Sequence, residues 1–368
     1  MKSLKLPNML ALLSMTLLMN STLQAQEAGD YSLEPLIEGA GIPWGMDWLP
    51  DGDLLVTERS GTLYRVNDGE SSIIDGLPGI HVNGQGGLLD IKAHPHYADN
   101  GWLYITFSSP EGTGSGSNTA LMRARLDGNR LVEQEVLYKG ETNTDRGQHY
   151  GSRIAFDETG AYVYFSIGDR GDHFNTVQDL SMDGGKVYRL HADGRIPADN
   201  PFVHNADAKH AIYSYGHRNP QGMDRHPETG EIWVSEHGPR GGDEINIVQP
   251  GANYGWPYVG YGINYNGEPL AEVKKRPGIE QPVWYWDPSI ATAGIAFVTS
   301  DRYPELQGHL LVGGLGGNVL ELLELHEERV LRKTSLLTDT GRVRSIQQGP
   351  DGYIYLGIED EGIMRLVP

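Results

Sequence analysis

The chain has 368 residues, with 49 Gly, 21 Pro, 19 Tyr, 7 Trp and no Cys, a length that accommodates two average domains or one large all-β or barrel-type domain. Lys and Arg total 29 against 49 Asp and Glu, a net charge of −20 that repels nucleic-acid phosphates and anionic membrane surfaces alike. Without Cys there are no disulfides, thiolate metal sites or Cys nucleophile, so any chemistry rests on oxygen and nitrogen groups or on a cofactor.

In chain order, Lys2 and Lys5 precede an apolar run from Met9 to Met19, followed by Asn20, Ser21, Thr22 and the small Ala25. A positive start, a short apolar stretch and a small-residue exit predict a secretory leader over residues 1–25, which leaves 26–368 as one exported, soluble, periplasmic domain. A buried or amphipathic N-terminal helix is the alternative. No later stretch is long and apolar enough to span a bilayer.

From there the sequence repeats one unit six times: an apolar lead-in, a turn of Asp, Gly, Pro or Asn, and a strand of β-branched and aromatic residues. Gly45 to Leu49 leads into Leu54 to Thr57, and Leu88 to Ala93 into Trp102 to Ile105. Ile154 to Phe156 precedes Val163 to Ser166, and Gly222 to Asp224 precedes Ile232 to Val234. The fifth copy joins Gly294 to Phe297 with Leu310 to Val312, and the sixth joins Ser345 and Ile346 with Tyr353 to Leu356. Each copy has room for a four-stranded antiparallel sheet, and a lone sheet cannot bury both of its faces, so the copies must stack around an axis. The prediction is an all-β fold, a six-bladed β-propeller. Only Gly362 to Val367 remains for the last blade, which therefore borrows Tyr31 to Ile37 from the N-terminal side. A helical period is hinted at only over Leu320 to Leu325.

Four loops carry unusual polar residues: Thr142 to Arg153, Gly168 to Gly185, Gly216 to Gln221 and His237 to Tyr265. Each lies where a strand ends or begins, which gathers them at one end of the central channel. His149 precedes the third lead-in and Asp169 follows the central strand of that copy, so the carboxylate can orient the imidazole as a general base requires; a structural Asp turn is the plainer alternative. Arg218 offers a planar fork of donors and Asn219 a donor and an acceptor. The loop Gly238-Pro239-Arg240-Gly241-Gly242-Asp243-Glu244 offers free carbonyls and acids that suit a hard cation such as Ca²⁺, or a plain acidic turn. Arg342 and Arg344 alternate along a strand, and two like charges on one face need an anion between them. Together these residues point to a small polyanionic ligand, such as a carboxylate-bearing redox cofactor.

Gly84 to Leu89, His149 to Arg153, Gly168-Asp169, Tyr215 to Gly222, Ser235 to Asn246, Asn253 to Pro257 and Gly341 to Arg344 resemble, in order, the soluble pyrroloquinoline quinone (PQQ) dehydrogenases, the aldose sugar dehydrogenase branch in particular. The resemblance implies a six-bladed propeller that oxidises the C1 hydroxyl of an aldose to the lactone. It implies His149 as general base, Asp169 as its holder and Arg218 on the quinone oxygen. It further implies cofactor contacts from Gln85, Asn219, Tyr265, Arg342 and Arg344. The carbonyls of Gly238 and Pro239 would hold a cofactor-bound Ca²⁺, with Glu244 and Tyr254 at a second, structural ion. Electrons would pass to a soluble or respiratory acceptor, from a monomer or homodimer. Two positions depart from the pattern. Gly316 stands where soluble glucose dehydrogenase has a Lys, which weakens the expected grip on one PQQ carboxylate unless backbone amides of Gly313 to Gly317, Gly316 among them, replace that cation. His237 stands where relatives often carry Gln. A non-redox propeller that binds carbohydrate or a protein partner, and a Ca²⁺-dependent lactonase, are the competing readings.

Overall fold

A computed structural model of the chain describes residues 31–172, 176–271 and 273–368, so the leader expected over 1–25 lies outside the described residues. The first strand, β1 (Ser32–Glu38), stands apart from the strands that follow it. Next come β2 (Pro43–Trp48), β3 (Leu54–Glu58), β4 (Thr62–Asn67) and β5 (Glu70–Ile73), then β6 (Leu88–Ala93), β7 (Leu103–Ser109), β8 (Asn118–Asp127) and β9 (Arg130–Lys139). The chain continues through β10 (Ile154–Phe156), β11 (Tyr162–Ile167), β12 (Lys186–His191) and β13 (Ile212–Tyr215), then β14 (Pro220–Arg225), β15 (Ile232–Glu236), β16 (Asp243–Ile247) and β17 (Trp284–Trp286). It ends with β18 (Thr292–Phe297), β19 (Leu310–Gly314), β20 (Val319–His326), β21 (Arg329–Thr338), β22 (Val343–Gln348), β23 (Ile354–Ile358) and β24 (Gly362–Val367).

Among the described residues these strands form six four-stranded antiparallel sheets, each in chain order except the last, which runs β22-β23-β24-β1. The molecule is a six-bladed β-propeller, and β1 closes the ring by pairing Ser32 with Val367 through Glu38 with Gly362. Leu320 to Leu325 is strand, inside β20; Leu320 and Leu322 pack into one inter-blade core and Leu323 into the next. Burial on both faces is why that segment reads as a continuous apolar run.

Neighbouring blades are stitched at one repeated position. The fourth residue of the second strand, or the fifth in β11, is Thr57, Thr106, Ser166, Ser235, Gly313 or Gly357. The hydroxyls of Thr57, Thr106, Ser166 and Ser235 donate to the carbonyls of Leu89, Ser152, Pro220 and Ala293, all on or beside the next blade's inner strand. At Gly313 and Gly357 the neighbouring backbone comes close instead: an added Cβ would lie 2.7 Å from the Val343 carbonyl and 3.0 Å from that of Pro43. Small residues at this position let the blades approach closely, and the buried carbonyls find donors.

The inner strands also share a fault. Five of them slip register against their second strands at their N-terminal ends, at Pro43/Gly45, Leu88/Ile91, Pro220/Gly222, Thr292/Ile295 and Val343/Ser345. A bulge re-aims a side chain and leaves main-chain groups unpaired. In three blades the extra residue is Trp44, Gln221 or Arg344, and all three side chains line the cavity at the channel mouth. The carbonyls freed by these bulges converge on Arg153, which precedes β10: Nε donates to Gln221 at 2.6 Å, Nη1 to Trp44 at 2.7 Å and Nη2 to Arg344 at 2.7 Å. Nη1 also reaches Asp90 at 3.1 Å, and that carboxylate caps the amide of Ile154 at 2.9 Å. One buried guanidinium thus ties strands or flanking loops of five blades and floors the mouth.

Candidate active site

The mouth is built where inner strands begin and second strands end. Gln85, His149, Arg218, Asn219 and Arg342 come just before inner strands, while Arg59, Asp169, His237, Leu315 and Glu359 come just after second strands. A cavity of about 310 Å³ opens there, lined by Trp44, Arg59, Gln85, Gln221, His237, Arg342, Arg344 and Glu359 among others. Its volume falls in the range of small-molecule sites, ~300–1,000 Å³.

The predicted His–Asp pair is formed: His149 Nδ1 lies 2.6 Å from Asp169 Oδ1. Asp169 is fully buried, and His149 retains 12 % of its side-chain surface. The carboxylate also accepts the Gly171 amide at 2.8 Å and, on Oδ2, the Trp256 indole N–H at 2.9 Å. Burial alone would raise Asp169, but His149, then the Arg218 charge and the Gly171 amide, hold it below the usual carboxylate range. His149 is pushed down from the ordinary histidine value, first by burial and then by the Arg218 charge, with Asp169 pulling the other way. The imidazole is therefore neutral near pH 7, with its proton on the nitrogen facing Asp169 and Nε2 left as the basic atom. His149 sits at φ +54°, in the left-handed region that costs a non-glycine residue about 1 kcal/mol or more. Its amide is held by Gln85 Oε1 at 2.8 Å. Gly168 carries no side chain because a Cβ there would lie 2.3 Å from the His149 carbonyl.

Arg218 Nη1 donates to the carbonyls of His237 at 3.0 Å and Gly238 at 3.1 Å, while its buried Nε has no partner. Its guanidinium lies 5.4 Å from the Trp256 ring centroid. Asn219 accepts the Gly151 amide at 3.1 Å and keeps an unpartnered, buried Nδ2. The predicted anion between Arg342 and Arg344 belongs to the protein: Glu359 takes Arg342 Nε on one oxygen and Arg344 on the other. Arg344 further donates to Gln221 Oε1 at 2.6 Å and lies over the Trp44 ring at 4.4 Å. Burial pulls Arg344 down to about 10, and Glu359 opposes it, so it stays cationic at neutrality. His237 is driven well below its ordinary value by burial and then by Arg218, Arg344 and His149, and its Nε2 is buried without a partner.

A model of the glucose/sorbosone dehydrogenase family matches residues 40–366 of this sequence. The chain belongs to that family. It is 39% identical to an uncharacterized protein of Synechocystis over 88% of this chain and 82% of the relative. It is 38% identical to the aldose sugar dehydrogenase YliI of Escherichia coli over 91% and 92% of the two chains. Among solved structures, the PQQ-bound aldose sugar dehydrogenase of Streptomyces coelicolor superposes with a TM-score of 0.75 at 28% identity, covering 92% of this chain and 98% of that one.

Of the residues expected from sequence, this glucose/sorbosone dehydrogenase family member brings Gln85, His149, Asp169, Arg218, Asn219, Arg342 and Arg344 to one mouth. Others it does not bring there. Tyr265 stands 70 % exposed and does not line the cavity. Gly316 cannot lend its amide to an anion, because the amides of Leu315, Gly316 and Gly317 already donate to Ala291, Ile290 and Ile290. The Ca²⁺ residues need a similar revision. The Gly238 carbonyl accepts from Arg218, Pro239 does not line the adjoining cavity, and the Tyr254 hydroxyl donates to Ile247 and accepts from Gln249. Among the described residues no three His, Asp or Glu side chains converge as a metal cage. Glu244 instead lies directly across the ladder from Glu236. Burial, then the Glu236 charge, pushes Glu244 well above the carboxylate range. A cavity of about 20 Å³ beside them is also lined by Gly216, Gly238 and Tyr254.

Sequence reading missed Arg59, Trp44, Gln221, Trp256 and Glu359. Gln221 and Trp256 were visible only as members of loop motifs. Glu359 had a signal in hindsight, an acid just past the second strand of the blade whose inner strand has Arg342 just before it and Arg344 within it.

Proposed function

We propose that this protein is a PQQ-dependent aldose dehydrogenase that oxidises the C1 hydroxyl of an aldose to the lactone. The observation that carries this reading is an Asp-held, neutral His149 beside a cavity lined by guanidinium groups, in a member of the glucose/sorbosone dehydrogenase family. When bound, PQQ supplies the two-electron acceptor that takes hydride from C1.

The cavity's chemistry fits a planar tricarboxylate. Arg342, Arg344 and Arg59 supply cationic donors, and Trp44 supplies an aromatic wall. The unpartnered Arg218 Nε and Asn219 Nδ2 are buried donors that lack an acceptor within the protein, which such a ligand would provide. His149 Nε2 accepts the proton of the anomeric hydroxyl, and Asp169 stabilises the imidazolium that results while fixing which nitrogen is basic. The Trp256 and Gly171 donors hold the Asp169 carboxylate in position through that step. For Ca²⁺, the opposed Glu236 and Glu244 with nearby carbonyl oxygens are the hard-oxygen set the chain offers. The Gly238 carbonyl belongs to that set only if Arg218 shares it.

The test is to add PQQ and Ca²⁺ to purified protein and follow dye reduction with glucose and other aldoses. PQQ-dependent, aldose-dependent reduction is expected. No reduction together with no absorbance change on adding PQQ would overturn the proposal.

A further inference from the structure

The four arginines at the mouth are not equally committed. Arg342 and Arg344 share Glu359, Arg344 also holds Gln221, and Arg218 holds two carbonyls. Among the described residues Arg59 makes no side-chain hydrogen bond or ion pair, and its Nε is buried without an acceptor. Its acidic neighbour Glu58 turns its two oxygens to the amides of Ile42 and Ser60 and makes no ion pair with it.

Arg59 is nevertheless fixed in place. It directly follows β3, its amide donates to Ile42 at 3.0 Å, and its carbonyl accepts the Leu88 amide at 3.2 Å, so two blades clamp its backbone. The stem runs over Gly87, where a Cβ would lie 1.8 Å from the Arg59 carbonyl and 2.9 Å from its Cγ. The side chain lines the same cavity as Gln85, Arg342, Arg344 and Glu359. A clamped, half-buried guanidinium whose Nε is shielded from water and has no acceptor leaves a hydrogen bond unmade, which an anionic ligand in the cavity would supply. The surroundings do not, since three guanidinium groups there face one carboxylate and His237 is neutral.

We infer that Arg59 is a cofactor-binding residue that grips a carboxylate of PQQ and supplies the cation missing at Gly316, where the glycine-loop amides are already used. The inference rests on the PQQ reading above and adds a residue to it.

The experiment titrates PQQ into the full chain, with Ca²⁺ present, and reads binding by quinone absorbance and tryptophan fluorescence rather than turnover. Wild type, Arg59→Leu and Arg59→Lys are compared, with thermal unfolding as the check that each variant is folded. Arg59→Leu is expected to weaken binding ~10- to 100-fold, as losing a charge-assisted contact does, and to flatten the salt dependence of Kd. Arg59→Lys is expected to recover part of the affinity. PQQ trimethyl ester, which has no carboxylates, is expected to bind wild type and Arg59→Leu alike. If wild type binds PQQ and both Arg59 variants match it, the role of Arg59 is overturned while the quinone reading stands. If wild type does not bind PQQ, both fall together. If Arg59→Leu unfolds, an unchanged affinity and salt dependence in Arg59→Lys overturns the role.

Discussion

Arg153 donates to the main-chain carbonyl of Arg344 across 2.7 Å, although 191 residues separate them. The contact exists because bulges at three inner strands turn carbonyls toward the axis, and a single planar fork can reach them all. Replacing Arg153 with Met strands those carbonyls and leaves Asp90 as an unpaired buried carboxylate. We expect a loss of about 3–5 kcal/mol, as for other broken buried pairs, measured by denaturant titration. Arg153→Lys should recover little, since one ammonium cannot span the same acceptors. An unchanged midpoint for Arg153→Met would remove Arg153 as the keystone of the ring.

His149 and Asp169 should behave as one unit. His149→Ala is expected to keep PQQ binding and to lower turnover by ~10²-fold or more. Asp169→Asn should cost a comparable factor, because one amide oxygen cannot accept from His149, Gly171 and Trp256 together. The double variant is expected to be no slower than the slower single one. Multiplying losses would show that the two residues act separately.

The acid limb of kcat/KM should report His149. Burial first, and Arg218 second, lower its pKa, and a protonated imidazole cannot act as a base, so the midpoint is expected below the ordinary value of ~6.5. The rate should be flat above that midpoint and fall tenfold per pH unit beneath it. Stability follows the same sign: the unfolded chain takes the proton first, so this group destabilises the fold as pH drops through ~6.5. A limb centred above 7 would exclude His149 as its source.

Glu359→Gln should separate stability from binding. Arg344 loses its buried counter-charge, which should cost about 1–3 kcal/mol. The cavity also becomes more cationic, so PQQ affinity should rise at low salt and decline more steeply as salt is added. Lower affinity at every ionic strength would mean that Glu359 chiefly shapes the arginines.

Ca²⁺ is expected to raise the melting temperature of the chelator-treated protein by binding only the folded form. Glu244→Gln should abolish that rise, because it removes the carboxyl that gives up its proton to ligate the ion opposite Glu236. A wild-type shift that survives intact in Glu244→Gln would place the ion elsewhere.

The propeller was legible because its repeated unit is short and local: an apolar lead-in, a turn and a strand of β-branched and aromatic residues recur in every blade. His149 and Asp169 were legible because they flank one hairpin. Glu359 and Arg59 were not, since each is meaningful only beside residues brought in from other strands or blades. The amides of Leu315 to Gly317 misled for a different reason. A glycine-rich loop looks like an anion cradle until its hydrogen bonds are traced to Ile290 and Ala291. Tyr265 and Pro239 depend on loop conformation, which carries no periodic signature.

Pairing of β1 with β24 has an outcome for biosynthesis. Because the sixth blade takes β1 from before the first blade and β24 from after all the others, a nascent chain can assemble early blades but must hold an open edge until β24 emerges. Arg344 and Glu359 arrive in that final stretch. The cationic wall of the mouth is therefore expected to be complete only once that blade has closed, which makes ligand capture there a late event in folding.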